Sequence, residues 1–343
     1  VLDLVRGLSI PAIRYPGGNF VSAYKWEDGI GPQKDRPVRL DLAWRSRESN
    51  QVGINEFAGW AKDAGIEMML ALNLGTRGIE DARNFVEYCN HPSGTYWSDL
   101  RRSHGVEQPY GVNMWCLGNE MDGPWQIGHK DAVEYGRLAN ETAKAVKAFG
   151  AGIETIVCGS SNDQMPTYPE WERQVLEECY ENVEYISLHK YFGNNSHNSL
   201  NFFAKIEETG RYIQSIAGVI DYVKAKKRAK NDVYICFDEW NVWYHNREQD
   251  SRNWREWDWP EAPPLLEEDY NLEDALFVGG LLNEFIRRSD RVKIACIAQL
   301  VNVIAPIRAE RGGPAWAAGA GPSSVSLMGF ELFFRGSAQG GQQ

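Results

Sequence analysis

No two cysteines of this chain form a CxxC pair; the six are scattered at positions 89, 116, 158, 179, 236 and 296. That spacing speaks against a disulfide scaffold. Cys116, Cys158, Cys236 and Cys296 lie inside apolar runs and read as small core residues of a reduced, cytoplasmic protein. No apolar run reaches membrane-spanning length, and nothing at the amino end has the form of a signal peptide. Positive charge is also scarce: 36 Lys and Arg against 47 Asp and Glu leave a net charge of −11. An acidic surface repels phosphate backbones, so no nucleic-acid partner is expected. The one basic run, Lys224 to Lys230, falls within a helix-like segment. No GxGxxG follows the first strand-like run and no GxxxxGKS/T occurs anywhere, so nucleotide-binding folds lose support. The six histidines show no HExxH or comparable ligand spacing, so neither a metal nor a cofactor is expected.

What is present is an alternation. Near-continuous apolar runs occur at 11–16, 67–73, 112–120, 154–160, 183–191, 232–241 and 292–302. Such runs suit parallel strands covered on both faces. Amphipathic helical patterns lie between them. Ile54, Phe57, Ala58 and Ala61 share one face before Gly65, and Ala139, Thr142, Ala143 and Val146 share another before Gly150. Val278, Leu281, Leu282 and Phe285 repeat the pattern. Repeated β–α units predict a parallel sheet, open or closed. Polar residues gather where successive strands end: Arg14 to Asn19, Asn73, Asn119–Glu120, His189–Tyr191, Glu239–Asn241 and Gln299. A ring of polar strand ends predicts the mouth of a (β/α)8 TIM barrel. Seven strands are visible, one short of eight, and the missing one is expected to precede Val1.

Glu120 ends the third visible strand and Glu239 the sixth, so a closed barrel brings both to one mouth. Cleaving a glycosidic bond needs such a pair, one carboxyl protonated to donate to the leaving oxygen and one ionised to attack. A lone Glu at a strand end is more often a helix cap or an ion-pair partner. Two of them, each ending an apolar strand in GNE (118–120) and DEWN (238–241), favour catalysis.

The blocks that carry these residues include IRYPGGNFVSAYKWEDGIGP, RLDLAW, NLGTRG, WCLGNEMDGPWQIGHK, ISLHKYFGN, FDEWNVWY, APPLLEEDY and AQLVNVIAPI. Together they resemble the α-L-arabinofuranosidases of glycoside hydrolase family 51, from about Val1 to Trp316. The resemblance implies Glu120 as general acid/base and Glu239 as nucleophile of a retaining enzyme. That enzyme would release terminal α-L-arabinofuranose from arabinan, arabinoxylan and arabino-oligosaccharides. It implies that Asn119 bonds the hydroxyl next to the anomeric carbon, and that Arg14 and Asn19 organise the sugar subsite. His189 and Tyr191 would orient the carboxylates and ring. Gln299 would contact the furanose, while Trp44 and Trp243 would line the pocket. It also implies an oligomeric parent, often a hexamer.

Alternatives stay open at this level. Arg14 could neutralise buried carboxylates rather than touch sugar, His189 alone could be a satisfied core histidine, and most of the thirteen tryptophans suit a core. The Trp-dense, proline-broken segment 253–264 suits either a loop over the cleft or packing. An endo-β-glucanase or xylanase could use the same barrel, and an inactive carbohydrate-binding fragment could keep the motifs. Compared with the family, the first strand with its substrate-binding glutamate and the accompanying β-sandwich have no counterpart here. The expected division is a barrel at 1–316 and a divergent, poorly ordered tail at 317–343. A barrel missing a strand exposes two unpaired edges, so a chain of these bounds is expected to be unstable or poorly active.

Overall fold

The computed structural model describes residues 1–318 and 333–335. The seven apolar runs form seven parallel strands paired in chain order: β1 (Ala12–Tyr15), β2 (Glu67–Ala71), β3 (Met114–Leu117), β4 (Glu154–Cys158), β5 (Tyr185–Phe192), β6 (Tyr234–Val242) and β7 (Val292–Ile297). All four residues of β3 are buried, as its unbroken apolar sequence requires. One of the two expected free edges is occupied. Phe333–Arg335 pairs antiparallel with β7, Phe333 opposite Cys296 and Arg335 opposite Ile294. Among the described residues β1 has β2 as its one strand neighbour, so the sheet is a nearly closed (β/α)8-type barrel lacking its N-terminal portion. The rest of the expected tail, 319–332 and 336–343, lies outside the described residues. Ala315–Ala317 closes a short hairpin with Ile307–Ala309.

Helices cover the outer face of the sheet: α1 (Ile54–Ala64), α2 (Ile79–Asn90), α3 (Ala132–Lys147), α4 (Glu170–Cys179), α5 (Ser199–Lys227) and α6 (Leu272–Arg287). Their limits are written locally. α1 ends at Gly65 with φ +75°, a left-handed turn that glycine adopts without steric cost. Asp131 accepts the Glu134 N–H at the start of α3, and Asn271 accepts from Glu273 and Asp274 at the start of α6. The helix-forming face of α3, with Ala139, Thr142, Ala143 and Val146, is buried. The basic run at the end of α5 is structural: Lys226 and Lys227 pair with Glu177 and Glu181 at 2.6 and 3.1 Å, where cations suit a helix C-terminus.

Two apolar layers result. The larger, between strands and helices, holds Trp115, Tyr135, Trp171, Phe237, Trp240 and Phe285. The smaller fills the barrel interior with Met69, Met114, Cys116, Ile156, Cys236 and Cys296. This interior packing is a floor beneath the polar strand ends. All six cysteines are buried free thiols, the four expected in the core among them. No helix among the described residues is long and apolar enough to cross a membrane.

Candidate active site

The carboxyl ends of β1, β3, β5 and β6 place five charged groups in one buried centre. β3 delivers Glu120 through an abrupt turn. Gly118 has φ +102° and Glu120 φ +43°, two left-handed positions that swing the chain away from the strand direction. Asp122, two residues on, accepts from the Ser161 N–H at 3.1 Å and fixes the turn to the loop after β4.

β6 solves a different problem. Successive side chains of a regular strand point to opposite faces, yet Asp238 and Glu239 both enter the centre. The β5–β6 register slips between the pairs Ser187–Cys236 and His189–Glu239, putting one extra residue on β6. This bulge keeps Phe237 and Trp240 outside, both against Phe285, and turns the two acids between them inward.

Arg14, on β1, joins the parts. Its Nε lies 3.2 Å from Asp238 Oδ2, its NH1 donates to Glu239 Oε2 at 3.1 Å and its NH2 to Asn119 Oδ1 at 2.8 Å. Asn119 passes the chain on, its Nδ2 donating to Asn19 Oδ1 at 3.2 Å. Tyr191 donates its hydroxyl to Glu239 Oε1 at 2.7 Å. His189 lies between the acids, Nδ1 at 3.0 Å from Glu120 Oε1 and Nε2 at 3.2 Å from Asp238 Oδ1.

Burial opposes charge on Arg14 and on His189, but the surrounding acids outweigh it. Asp238 and Glu239 hold the guanidinium well above its ordinary range. Glu239, Asp238 and the hydrogen bonds to Asp238 and Glu120 raise the imidazole likewise. These acids favour the protonated imidazole, and each ring nitrogen of His189 faces a carboxyl oxygen. Burial would push Asp238 up, yet Arg14 and His189 hold it below its ordinary value. Burial and the neighbouring Glu239 raise Tyr191 well above the usual phenol value, so it stays a donor. Three carboxyls thus face the Arg14 guanidinium and the His189 imidazole.

One oxygen each from Glu120 and Glu239 and a nitrogen of His189 lie within 4.8 Å of one another. By distance alone this trio could hold an ion. Chemically, the space is contested by Arg14, whose guanidinium already supplies positive charge to Glu239.

Above the centre opens a cleft of 1280 Å³. Asn19, Trp44, Tyr191, Trp243 and Gln299 reach its wall, so each residue expected at the site is in the centre or on the cleft. Trp243 stands edge-on to Tyr191 at 5.5 Å and carries the Arg247 guanidinium on its face at 4.4 Å. The Trp-dense segment forms part of the wall through Trp254 and Trp257. It is anchored where Arg45 Nε donates to the Trp257 carbonyl at 2.6 Å. Sequence reasoning passed over Asp238, Trp125 and Arg247. Asp238 was visible inside DEWN, but only the bulge shows that it faces inward. Trp125 Nε1 donates to Glu120 Oε2 at 2.7 Å, a contact that no strand pattern predicts.

Comparison with known proteins agrees with this geometry. Residues 4–207 match the family model described as the alpha-L-arabinofuranosidase 1 domain, and residues 238–319 match the alpha-L-arabinofuranosidase C-terminal domain. This chain belongs to the α-L-arabinofuranosidases of glycoside hydrolase family 51. Among members of the family, it is 60% identical over 316 residues to intracellular exo-alpha-(1->5)-L-arabinofuranosidase 1 of Bacillus subtilis, covering 92% of this chain and 63% of that protein. It is 49% identical to an exo-alpha-(1->6)-L-arabinofuranosidase of Bifidobacterium longum, covering 92% and 62%. The solved family 51 arabinofuranosidase AbfB of Bifidobacterium longum superposes with a TM-score of 0.89 at 43% identity, covering 92% of this chain and 65% of that one. The arabinose complex of the Thermotoga maritima α-L-arabinofuranosidase gives 0.80 at 38% identity, covering 91% and 60%. The chain therefore spans less than two thirds of the length of these family members.

Proposed function

We propose that this chain carries the catalytic barrel of a retaining, exo-acting α-L-arabinofuranosidase that removes terminal arabinofuranose from arabinan, arabinoxylan and arabino-oligosaccharides. The observation that carries the reading is the approach of Glu120 and Glu239 oxygens to within 4.8 Å. Retaining pairs stand about 5–5.5 Å apart, whereas inverting pairs need about 6.5–9.5 Å to admit a water.

In the first step Glu239 forms a bond to the anomeric carbon while the bond to the leaving oxygen breaks. Glu120 gives its proton to that oxygen. In the second, Glu120 takes a proton from water, and the resulting oxygen displaces Glu239 with a second inversion. Arg14 and Tyr191 each donate to a different oxygen of Glu239 and so aim the carboxylate. Asn119, held by Arg14 and Asn19, supports a hydrogen bond to the sugar hydroxyl beside the anomeric carbon, where such contacts strengthen in the transition state. Trp44 and Trp243 offer aromatic faces to sugar C–H surfaces. Relatives named intracellular and six free thiols support a cytoplasmic location. The same reading includes a homo-oligomer, to be measured by light scattering.

Azide rescue tests the mechanism. Glu120→Ala should regain activity on an aryl α-L-arabinofuranoside with azide and yield the azide of retained configuration. Glu239→Ala should accumulate no glycosyl-enzyme. Release of β-arabinose as the first product from the unmodified protein would refute retention, and cleavage confined to β-glucan or xylan would refute the sugar.

A further inference from the structure

We propose that Trp125 is a positioning residue for Glu120: its indole N–H holds one carboxyl oxygen and yields that oxygen to the leaving group of the substrate. The inference rests on Glu120 being the acid/base. Both of its oxygens are engaged, Oε1 by His189 at 3.0 Å and Oε2 by Trp125 at 2.7 Å. The two donors differ in freedom. His189 is 2% exposed and pinned on its far side by Asp238, whereas Trp125 is 47% exposed and lines the cleft. Proton delivery to a glycosidic oxygen requires one carboxyl oxygen to face it, so Oε2 is the one that can be released.

The local chain is built for this contact. Gly123 N–H donates to the Glu120 carbonyl at 2.8 Å, and Gln126 N–H donates to the Gly123 carbonyl at 2.9 Å. These two tight turns bring residue 125 back over residue 120. A Cβ on Gly123 would lie 2.6 Å from Trp125 Cε2, so a side chain there would push the indole off the carboxyl. An exposed indole N–H has water available. Here it is directed to the carboxyl instead, which stops that group from rotating until a leaving group takes its place. The indole face, already in the cleft wall, is then free to lie against the departing sugar.

Two variants of the intact protein test this. Trp125→Phe keeps a ring and removes the donor; Gly123→Ala keeps the donor and displaces it. Around Glu120 the titratable and charged groups are His189 and Tyr191 from β5, Asp238 and Glu239 from β6, Arg14 from β1 and Asp122 of its own turn, and both variants leave all of them in place. Loss of a donor weakens the ionised carboxylate, so the basic limb of kcat/KM should move to higher pH, by about one unit. Activity on an arabino-oligosaccharide, whose leaving group needs a proton, should fall about tenfold. The kcat/KM for the dinitrophenyl arabinofuranoside, which reports glycosyl-enzyme formation with a leaving group that needs no proton, should stay within about threefold. An unmoved basic limb in folded variants, or equal losses on both substrates, would overturn the proposal. If only one variant folds, that one decides. Failure of both to fold makes Trp125 a packing residue and overturns it too. Undiminished arabinofuranosidase activity in Glu120→Ala without azide would instead refute the Glu120 assignment.

Discussion

Replacing Arg14 with methionine would separate the electrostatic framework of the site from its chemistry. Methionine fills much of the same volume but leaves Asp238, 3% exposed, and the inward-facing Glu239 without their shared cation. Removing one member of a buried ion pair costs about 3–5 kcal/mol, because the remaining charge stays in a medium that solvates it poorly. For a domain of this size that loss lowers the thermal midpoint by about 4–7 °C at neutral pH. The sign with pH follows from Asp238, which Arg14 and His189 hold below its ordinary value. Its stabilisation is present above the unfolded value of about 3.9 and is lost as pH falls through the lower folded value. The deficit of the variant should therefore be full at pH 7 and shrink towards acid, as the orphaned carboxylate protonates in the variant. Thermal melts of both proteins across pH 4–8, followed by near-UV circular dichroism, measure it. A midpoint within about 1 °C of the unmodified protein at pH 7, or a gap that widens in acid, would refute the reasoning.

His189 gives the opposite limb. Its folded value is raised above the ordinary imidazole range, so its contribution is complete below about pH 6.5 and fades as pH rises through the folded value. Melting temperatures should drop on the alkaline side in the unmodified protein and stay flatter in His189→Gln; parallel curves would count against a charged His189. Gly75→Ala tests how the loop after Glu120 is held: its Cβ would lie 2.4 Å from the Ile127 carbonyl oxygen. Overpacking of this kind costs about 1–3 kcal/mol and should lower both the melting temperature and kcat, whereas unchanged kinetics would show the loop position to be unimportant.

Much of this molecule was legible in its sequence. All seven strands were visible as apolar runs because a strand covered on both faces has no polar side to interrupt the pattern. The helix at Ile54–Ala64 ended where Gly65 said it would. Glu120 and Glu239 stood out because charge at the end of such a run needs a reason. What the sequence obscured were relations across strands. The tail looked unstructured by composition, yet three of its residues pair with β7, since backbone hydrogen bonds are indifferent to the small, mixed sequence around them. Trp125 read as one of many aromatics, because its partner is set by two turns rather than by any period.

The residue types and their places at strand ends were determined by sequence alone: two glutamates, an arginine, a histidine and an asparagine, each at the carboxyl end of a run. Which of them share a charge was decided by tertiary structure. One extra residue in β6 turns Asp238 and Glu239 to the same side, and only then can Arg14 and His189 bridge three acids at once. Alternation along a strand is a local rule that sequence carries. A bulge arises where β6 must match the register of its neighbours, and register is a property of strands meeting in space.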